Sequence, residues 1–274
     1  MSFPKKTLLY SLVLCLSFAS SPIFAADAVL HLRIATVPSI YNSGILPVLL
    51  SPFEEKNKVE VDIIGTKTEM ALKMAEEGEV DALIINDPEL EASFMEKGLG
   101  SDYKSFMYNY LLIVGPPSDP AGIKGEKARY AFFRISEKKA PFISRGDGSE
   151  MNRKEKRLWN SIEHKRMGGW YFETGKDMEE TLFAASERKG YTLSDRLTYE
   201  VVKDMIGLAV LGEKEDPYLK NIYSVIAVNP QRYPHVKYGT AVMLIEYLRS
   251  KDAQGIINGF KVGGQQLFYA GNSS

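Results

Sequence analysis

An α/β fold of two lobes, with mostly parallel sheets flanked by helices, is predicted by three features of the sequence. From residue 30 onward, short apolar runs alternate with helix-spaced segments in a βαβαβα rhythm. That order builds parallel sheets sandwiched by helices. Four times an apolar run ends in a Ser- or Thr-bearing turn that opens a helix: Thr36 to Ser43, Thr66 to Thr68, Ser144 to Ser149 and Thr192 to Ser194. Two such units fall in each half of the chain, and loops at the carboxyl ends of strands line the ligand crevice of an open α/β sheet. The expectation is two lobes facing each other across a cleft.

In chain order, residues 30–36 alternate and then run apolar, as a buried first strand does. After the turn from Val37 to Gly44, Ile45, Leu46, Leu49, Leu50 and Phe53 recur at helical spacing. Val59 to Ile64 reads as a strand, and Thr66-Lys67-Thr68 leads into a helix with Met70, Ala71, Met74 and Ala75 on one face. That helix ends at Gly78, Asp81 to Asn86 is a third strand, and Asp87-Pro88 opens the next helix. A longer apolar run from Phe106 to Val114 stops at Gly115-Pro116-Pro117, and a helix is expected around Ile123 to Lys138.

The centre of the chain is the stretch from Ala140 to Ser149, an apolar run broken by Arg145-Gly146-Asp147-Gly148. Strand, glycine turn and helix start point unsatisfied backbone N–H groups at an anion. Arg145 adds a forked, permanently charged donor. An ordinary turn, with Arg145 paired to Asp147 or Asp195 and Ser149 capping a helix, fits the same residues. Beyond it come Trp170 to Glu173, a helix from Asp177 to Lys189, and strands at Leu208 to Leu211 and Ile222 to Val228. Tyr238 to Phe260 is expected to be helical.

Composition narrows the function. The chain has 274 residues, 45 % hydrophobic and 25 % charged, with a net charge of −1. It can bury one or two cores, and it carries no electrostatic footprint for nucleic acid. Lys5 and Lys6 precede an apolar run from Thr7 to Phe18 and then Ile23-Phe24-Ala25-Ala26. This reads as a secretory leader, residues 1–25, cut near Ala25, too short for a membrane anchor. Cys15 would be a lipidation site only with a small residue before it, and Leu14 is there. Cleavage removes this single cysteine, so the mature chain has neither disulfide nor thiolate chemistry. No further apolar stretch is long enough to span a membrane. The expected product is exported, periplasmic or otherwise secreted.

Catalytic signatures are missing. His31, His164 and His235 are far apart, and no G-x-S-x-G elbow, P-loop or dinucleotide fingerprint occurs. No nucleophile–base pair can be assembled, so a non-enzyme with no cofactor and no cation site is expected.

Many pieces in order resemble the tungstate-binding subunits of ABC importers, within the type II periplasmic binding proteins. They include Leu32-Arg33-Ile34-Ala35-Thr36, Asn42-Ser43-Gly44, Asp87-Pro88-Glu89-Leu90-Glu91 and Phe142-Ile143-Ser144-Arg145-Gly146-Asp147. Trp170-Tyr171, Tyr191-Thr192-Leu193-Ser194-Asp195-Arg196 and Tyr223 to Pro230 continue the likeness. The resemblance implies one lobe of residues 26–112 plus 231–274 and a second of residues 113–230. Tyr110 to Val114 and Val225 to Val228 would be the crossing strands. It also implies a monomer that closes on a tetrahedral oxyanion, of the tungstate or molybdate type, and hands it to a permease driven by an ATPase. Matching anion-facing positions are Arg145, Ser39, Thr68, Thr36 and Ser149.

The chain also departs from the pattern. Val37, Pro38 and Met151 stand where the family carries hydroxyl donors, and Lys67-Thr68-Glu69 replaces a Gly-Thr-Gly turn. A hydrogen bond to a charged group contributes roughly 1.5–3 kcal/mol, so losing two weakens binding by about two to four decades. Glu69 and Glu150, if they face the cleft, would oppose a dianion, whereas Lys67 would favour it. The alternatives are a divergent module for another anion, such as sulfate, phosphate or an organic carboxylate, or a sensor or interaction module without transport.

Overall fold

The first strand buries one face as its alternation requires: Leu32 and Ile34 are fully buried, whereas His31 and Arg33 are exposed. The computed structural model describes residues 29–162, 168–212 and 216–271. The expected leader, its cleavage point near Ala25 and His164 lie outside the described residues.

The first part of the chain runs β1 (Leu30–Thr36), α1 (Pro38–Tyr41), α2 (Ile45–Asn57), β2 (Val59–Gly65) and α3 (Thr68–Glu76). It continues through β3 (Ala82–Ile85), α4 (Pro88–Glu96) and β4 (Gly100–Tyr110). The middle part comprises β5 (Leu112–Gly115), α5 (Ala128–Glu137), β6 (Phe142–Ser144) and α6 (Glu150–Ser161). After it come β7 (Tyr171–Glu173), α7 (Met178–Glu187), β8 (Thr192–Ser194), α8 (Arg196–Val202) and β9 (Ala209–Gly212). The chain returns through β10 (Lys220–Val228), α9 (Tyr238–Leu248), α10 (Lys251–Gly259) and three two-residue strands, β11 (Lys261–Val262), β12 (Gln265–Gln266) and β13 (Tyr269–Ala270).

A six-stranded sheet of order β13-β4-β10-β3-β1-β2 anchors one hydrophobic core. Its β1, β2 and β3 are parallel, as the βαβ rhythm dictates, but β10 runs antiparallel to both β3 and β4. The second core lies around the antiparallel set β8-β5-β9 and the parallel pair β6-β7, which meet at a bridge between Phe142 and Tyr191. Its centre is aromatic: Trp159 packs against Phe132 and Phe142 with centroids 4.4 and 5.0 Å apart.

The chain crosses between the cores twice. Met107 belongs to the first core and Leu111 to the second; on the way back Leu219 belongs to the second and Tyr223 to the first. The two passages touch where Leu111 N donates to Leu219 O at 2.8 Å. The return passage thus lies ahead of Val225 to Val228, the stretch expected to cross. Those four residues are fully buried, and all but Val228 pair with both β3 and β4, in the middle of the large sheet. Two helix expectations also shift. Gly122 and Gly125, both left-handed, delay α5 to Ala128. The C-terminal helix breaks at Arg249, and Ser250 caps α10 by accepting from Ala253 N at 3.3 Å.

Glu91 of α4 is buried under this sheet. One carboxyl oxygen accepts from the Tyr103 hydroxyl at 2.9 Å, and the other has no hydrogen-bond partner. Burial pushes its pKa from 4.5 up to about 7, against the hydrogen bond from Tyr103. The unfolded chain releases this proton first, so stability falls as pH rises from about 4.5 to about 7, by about 3 kcal/mol in all. Melting curves of Glu91→Gln should flatten over that window and lie above wild type at pH 8; parallel curves for the two proteins would contradict this.

Candidate functional site: an anion cleft between the two cores

The loop from β6 to α6 is held from behind by α6 itself. Asn152 and Glu155 are buried one turn apart on the face that also carries Trp159. Ser144 Oγ donates to Glu155 at 2.5 Å and accepts from Gly146 N at 3.2 Å and Asn152 Nδ2 at 3.1 Å. Asn152 Oδ1 in turn accepts from Gly148 N at 3.2 Å. Trp159 Nε1 and the Tyr171 hydroxyl also donate to Glu155, at 2.9 and 2.7 Å. Burial raises the Glu155 pKa despite these donors. Gly146, at φ +61°, is required twice over, because a Cβ there would lie 2.6 Å from Glu173 Cβ.

The front of the loop presents charge. Arg145 Nη2 donates to Asp147 Oδ2 at 2.6 Å, while Arg145 Nε is buried without a hydrogen-bond partner. Asp147 Oδ1 accepts from the Ser149 hydroxyl at 2.6 Å and the Ser149 amide at 3.1 Å. Burial alone would raise the Asp147 pKa; the two Ser149 bonds and the Arg145 charge outweigh it and hold the carboxyl below its ordinary value. Ser149 Oγ also caps α6, accepting from Asn152 N at 3.4 Å.

Arg145 and Ser149 line a cleft of about 540 Å³ together with Ser39 and Thr68 from the other core. Four of the five residues singled out in the sequence therefore meet. Thr36 is elsewhere: it is fully buried and its hydroxyl donates to Ile84 O at 2.8 Å. Tyr223 also lines the cleft, and its hydroxyl donates to Ser39 Oγ at 3.2 Å, leaving the Ser39 proton free for another acceptor.

Helix ends differ in what they offer. Asp177 caps α7 by accepting from Glu180 N at 2.9 Å, and Asp195 caps α8 through Thr198 N and the Thr198 hydroxyl, both at 2.8 Å. No side chain caps α3, which opens at Lys67 and Thr68 on the cleft wall. Its first-turn amides and the positive end of its dipole face an incoming anion. Pro38 and Met151 line the cleft without donating, and Val37 is in the first core.

Glu69 and Glu150 do face the cleft, and both are paired. Glu69 accepts from Arg153. Glu150 accepts from Lys154 Nζ and Asn86 Nδ2, each at 2.6 Å. Lys154 further donates to Asn86 O at 2.8 Å and Asn221 Oδ1 at 2.5 Å, and burial lowers its pKa against the pull of Glu150. Asn152, Glu155, Lys154, Asn221 and Tyr223 were not anticipated. The spacing of Asn152, Glu155 and Trp159 on one face of a very polar helix was the available signal for the first two. On the outer edge of the large sheet, away from these residues, exposed His31 comes within 3.7–3.8 Å of Glu60 and Asp62.

The superfamily model described as a PBP superfamily domain matches residues 25–252. The tungstate-binding protein TupA of Peptoclostridium acidaminophilum is 36% identical over 227 residues, covering 82% of this chain and 79% of that protein. Solved structures agree. The tungstate-binding protein TupA from Desulfovibrio alaskensis G20 superposes with a TM-score of 0.84 at 36% identity, over 89% of this chain and 100% of that one. The tungstate ABC transporter structure from Geobacter sulfurreducens gives 0.74 at 42% identity, over 84% and 98%. With its two cores, its double crossing and this cleft, the chain belongs to the PBP superfamily, as a type II periplasmic binding protein of the TupA kind.

Proposed function

We propose that this protein is an exported solute-binding protein that captures a tetrahedral oxyanion of the tungstate or molybdate type and presents it to an ABC permease. The observation that carries the reading is the part-buried Arg145 guanidinium, its Nε buried without a partner, lining the same cleft as the uncapped start of α3. Tungstate and molybdate are fully ionised at neutral pH and accept hydrogen bonds without donating any. Such a ligand needs a site made of donors and partial positive charge. Arg145 is the charge anchor, Ser39 and Thr68 are hydroxyl donors, and the α3 amides complete the shell. Ser149 acts one step back: it holds Asp147, which aims Arg145. Thr36 fixes the end of β1 against β3.

The moving units keep the expected two-lobe division, with its breaks moved from 112 and 230 to 110 and 219 because Leu111 and Leu219 pack in the second core, and they turn about the paired crossings. In this reading the protein acts as a monomer and without catalysis; its relatives are named for binding. Among the described residues no helix is long and apolar enough to cross a membrane. Export follows from the leader, so mass spectrometry of the secreted protein should find a chain starting at Ala26.

Calorimetric titration with tungstate, molybdate, sulfate and phosphate tests the reading. Tungstate or molybdate should bind most tightly; heat from none of the four, with no shift in melting temperature, would overturn it.

A further inference from the structure

Helix α6 carries the Arg145 loop at its start, and its next turn reaches across to the other lobe. Arg153 Nε donates to Asp87 Oδ2 at 2.6 Å, and its Nη1 donates to Glu69 and, at 2.8 Å, to Gly148 O. Asp87 is fully buried at the cap of α4, and Glu69 is in the first turn of α3 beside the proposed anion position. Arg157 adds a longer contact to Asp87 at 3.4 Å. Burial alone would raise the Asp87 pKa, but Arg153 and Arg157 hold it down, so this carboxyl is charged. Arg153 does not line the cleft.

We propose that Arg153 is a positioning residue that couples lobe closure to anion binding, fastening the lobes through Asp87 and cancelling the Glu69 charge next to the ligand. The second half of this inference rests on the oxyanion reading; the first does not. With the lobes apart, Glu69 presents an unmatched negative charge at the start of α3 and offsets the positive dipole end that an anion would meet there. Closure delivers the guanidinium that neutralises it. The anion therefore meets a more favourable field in the closed state, and by linkage the anion favours closure to the same extent. This also accounts for how a TupA-like chain tolerates a glutamate where the family pattern has glycine.

Two measurements separate the halves. Because the mature chain has no cysteine, Val48→Cys and Met205→Cys admit a pair of spin labels, one on each lobe. The ligand-free protein should give a narrow distance distribution. Arg153→Ala should broaden it toward longer distances, and so should Glu69→Arg, a change at an exposed residue that sets two cations face to face. Titration with tungstate then reads the charge effect. Arg153→Ala should weaken binding by about tenfold, the scale of a partly screened charge pair. Glu69→Gln alone should not weaken binding, since it removes a negative charge beside the anion. The double variant should recover most of the loss, which a merely structural role for Arg153 would not allow. Unchanged distances in both Arg153→Ala and Glu69→Arg overturn the latch. Equal weakening in Arg153→Ala and the double variant overturns the charge coupling. If wild type itself binds none of the four oxyanions, the oxyanion reading and the coupling fall together, while the distances still decide the latch.

Discussion

Arg145→Ala should lower tungstate affinity by at least about a thousandfold, the largest functional effect of any single change in this protein. The substitution removes the guanidinium donors to a dianion, each contributing roughly 1.5–3 kcal/mol. It also leaves Asp147 behind. That carboxyl is held in its charged form by Ser149 and by Arg145 itself, so truncation leaves a negative group where the ligand's charge belongs. Arg145→Lys should recover part of the loss, since an ammonium restores charge but not the fork that serves Asp147 and the ligand together. Calorimetry of the three proteins decides it; affinity of Arg145→Ala within threefold of wild type would remove Arg145 from the anchor position.

Glu155→Ala should be the most destabilising polar substitution, by about 3–5 kcal/mol. The change orphans donors from Trp159 and Tyr171 in the second core and releases Ser144 and Asn152, which hold the loop behind Arg145. Burial raises the Glu155 pKa, and the four donors oppose that rise. Glu155→Gln keeps the volume and one accepting oxygen, so it should lose less than Glu155→Ala, but its NH2 faces two of the four donors and leaves it below wild type. Urea unfolding should show this order, and tungstate affinity should fall in Glu155→Ala although Glu155 lies behind the loop. Equal stability of Glu155→Ala and wild type would mean that the buried network does not hold the loop.

Periodicity made the three parallel strands legible, because their side chains alternate or run apolar according to how many faces they bury. It could not show that β10 lies between β3 and β4, since an apolar run such as Val225 to Val228 carries no mark of strand direction. Turn chemistry located the cleft: Ser39, Thr68 and the Arg145–Ser149 loop meet from three segments of the chain. Thr36 shows the limit of that signal, because a hydroxyl at a strand end satisfies a neighbouring carbonyl as readily as a ligand. The pairing of Glu69 and Glu150 was invisible for another reason. Each depends on α6 touching a segment more than 60 residues away or on its own i+4 neighbour, and an acidic residue reads the same whether paired or bare.

The most direct measurement is a crystal structure of the mature protein grown with tungstate, located by the anomalous scattering of tungsten. A single strong peak between the Arg145 guanidinium and the first turn of α3, within hydrogen-bond reach of Ser39 or Thr68, is the predicted result. A peak on the outer surface of either lobe, with that cleft holding no tungsten, would contradict it.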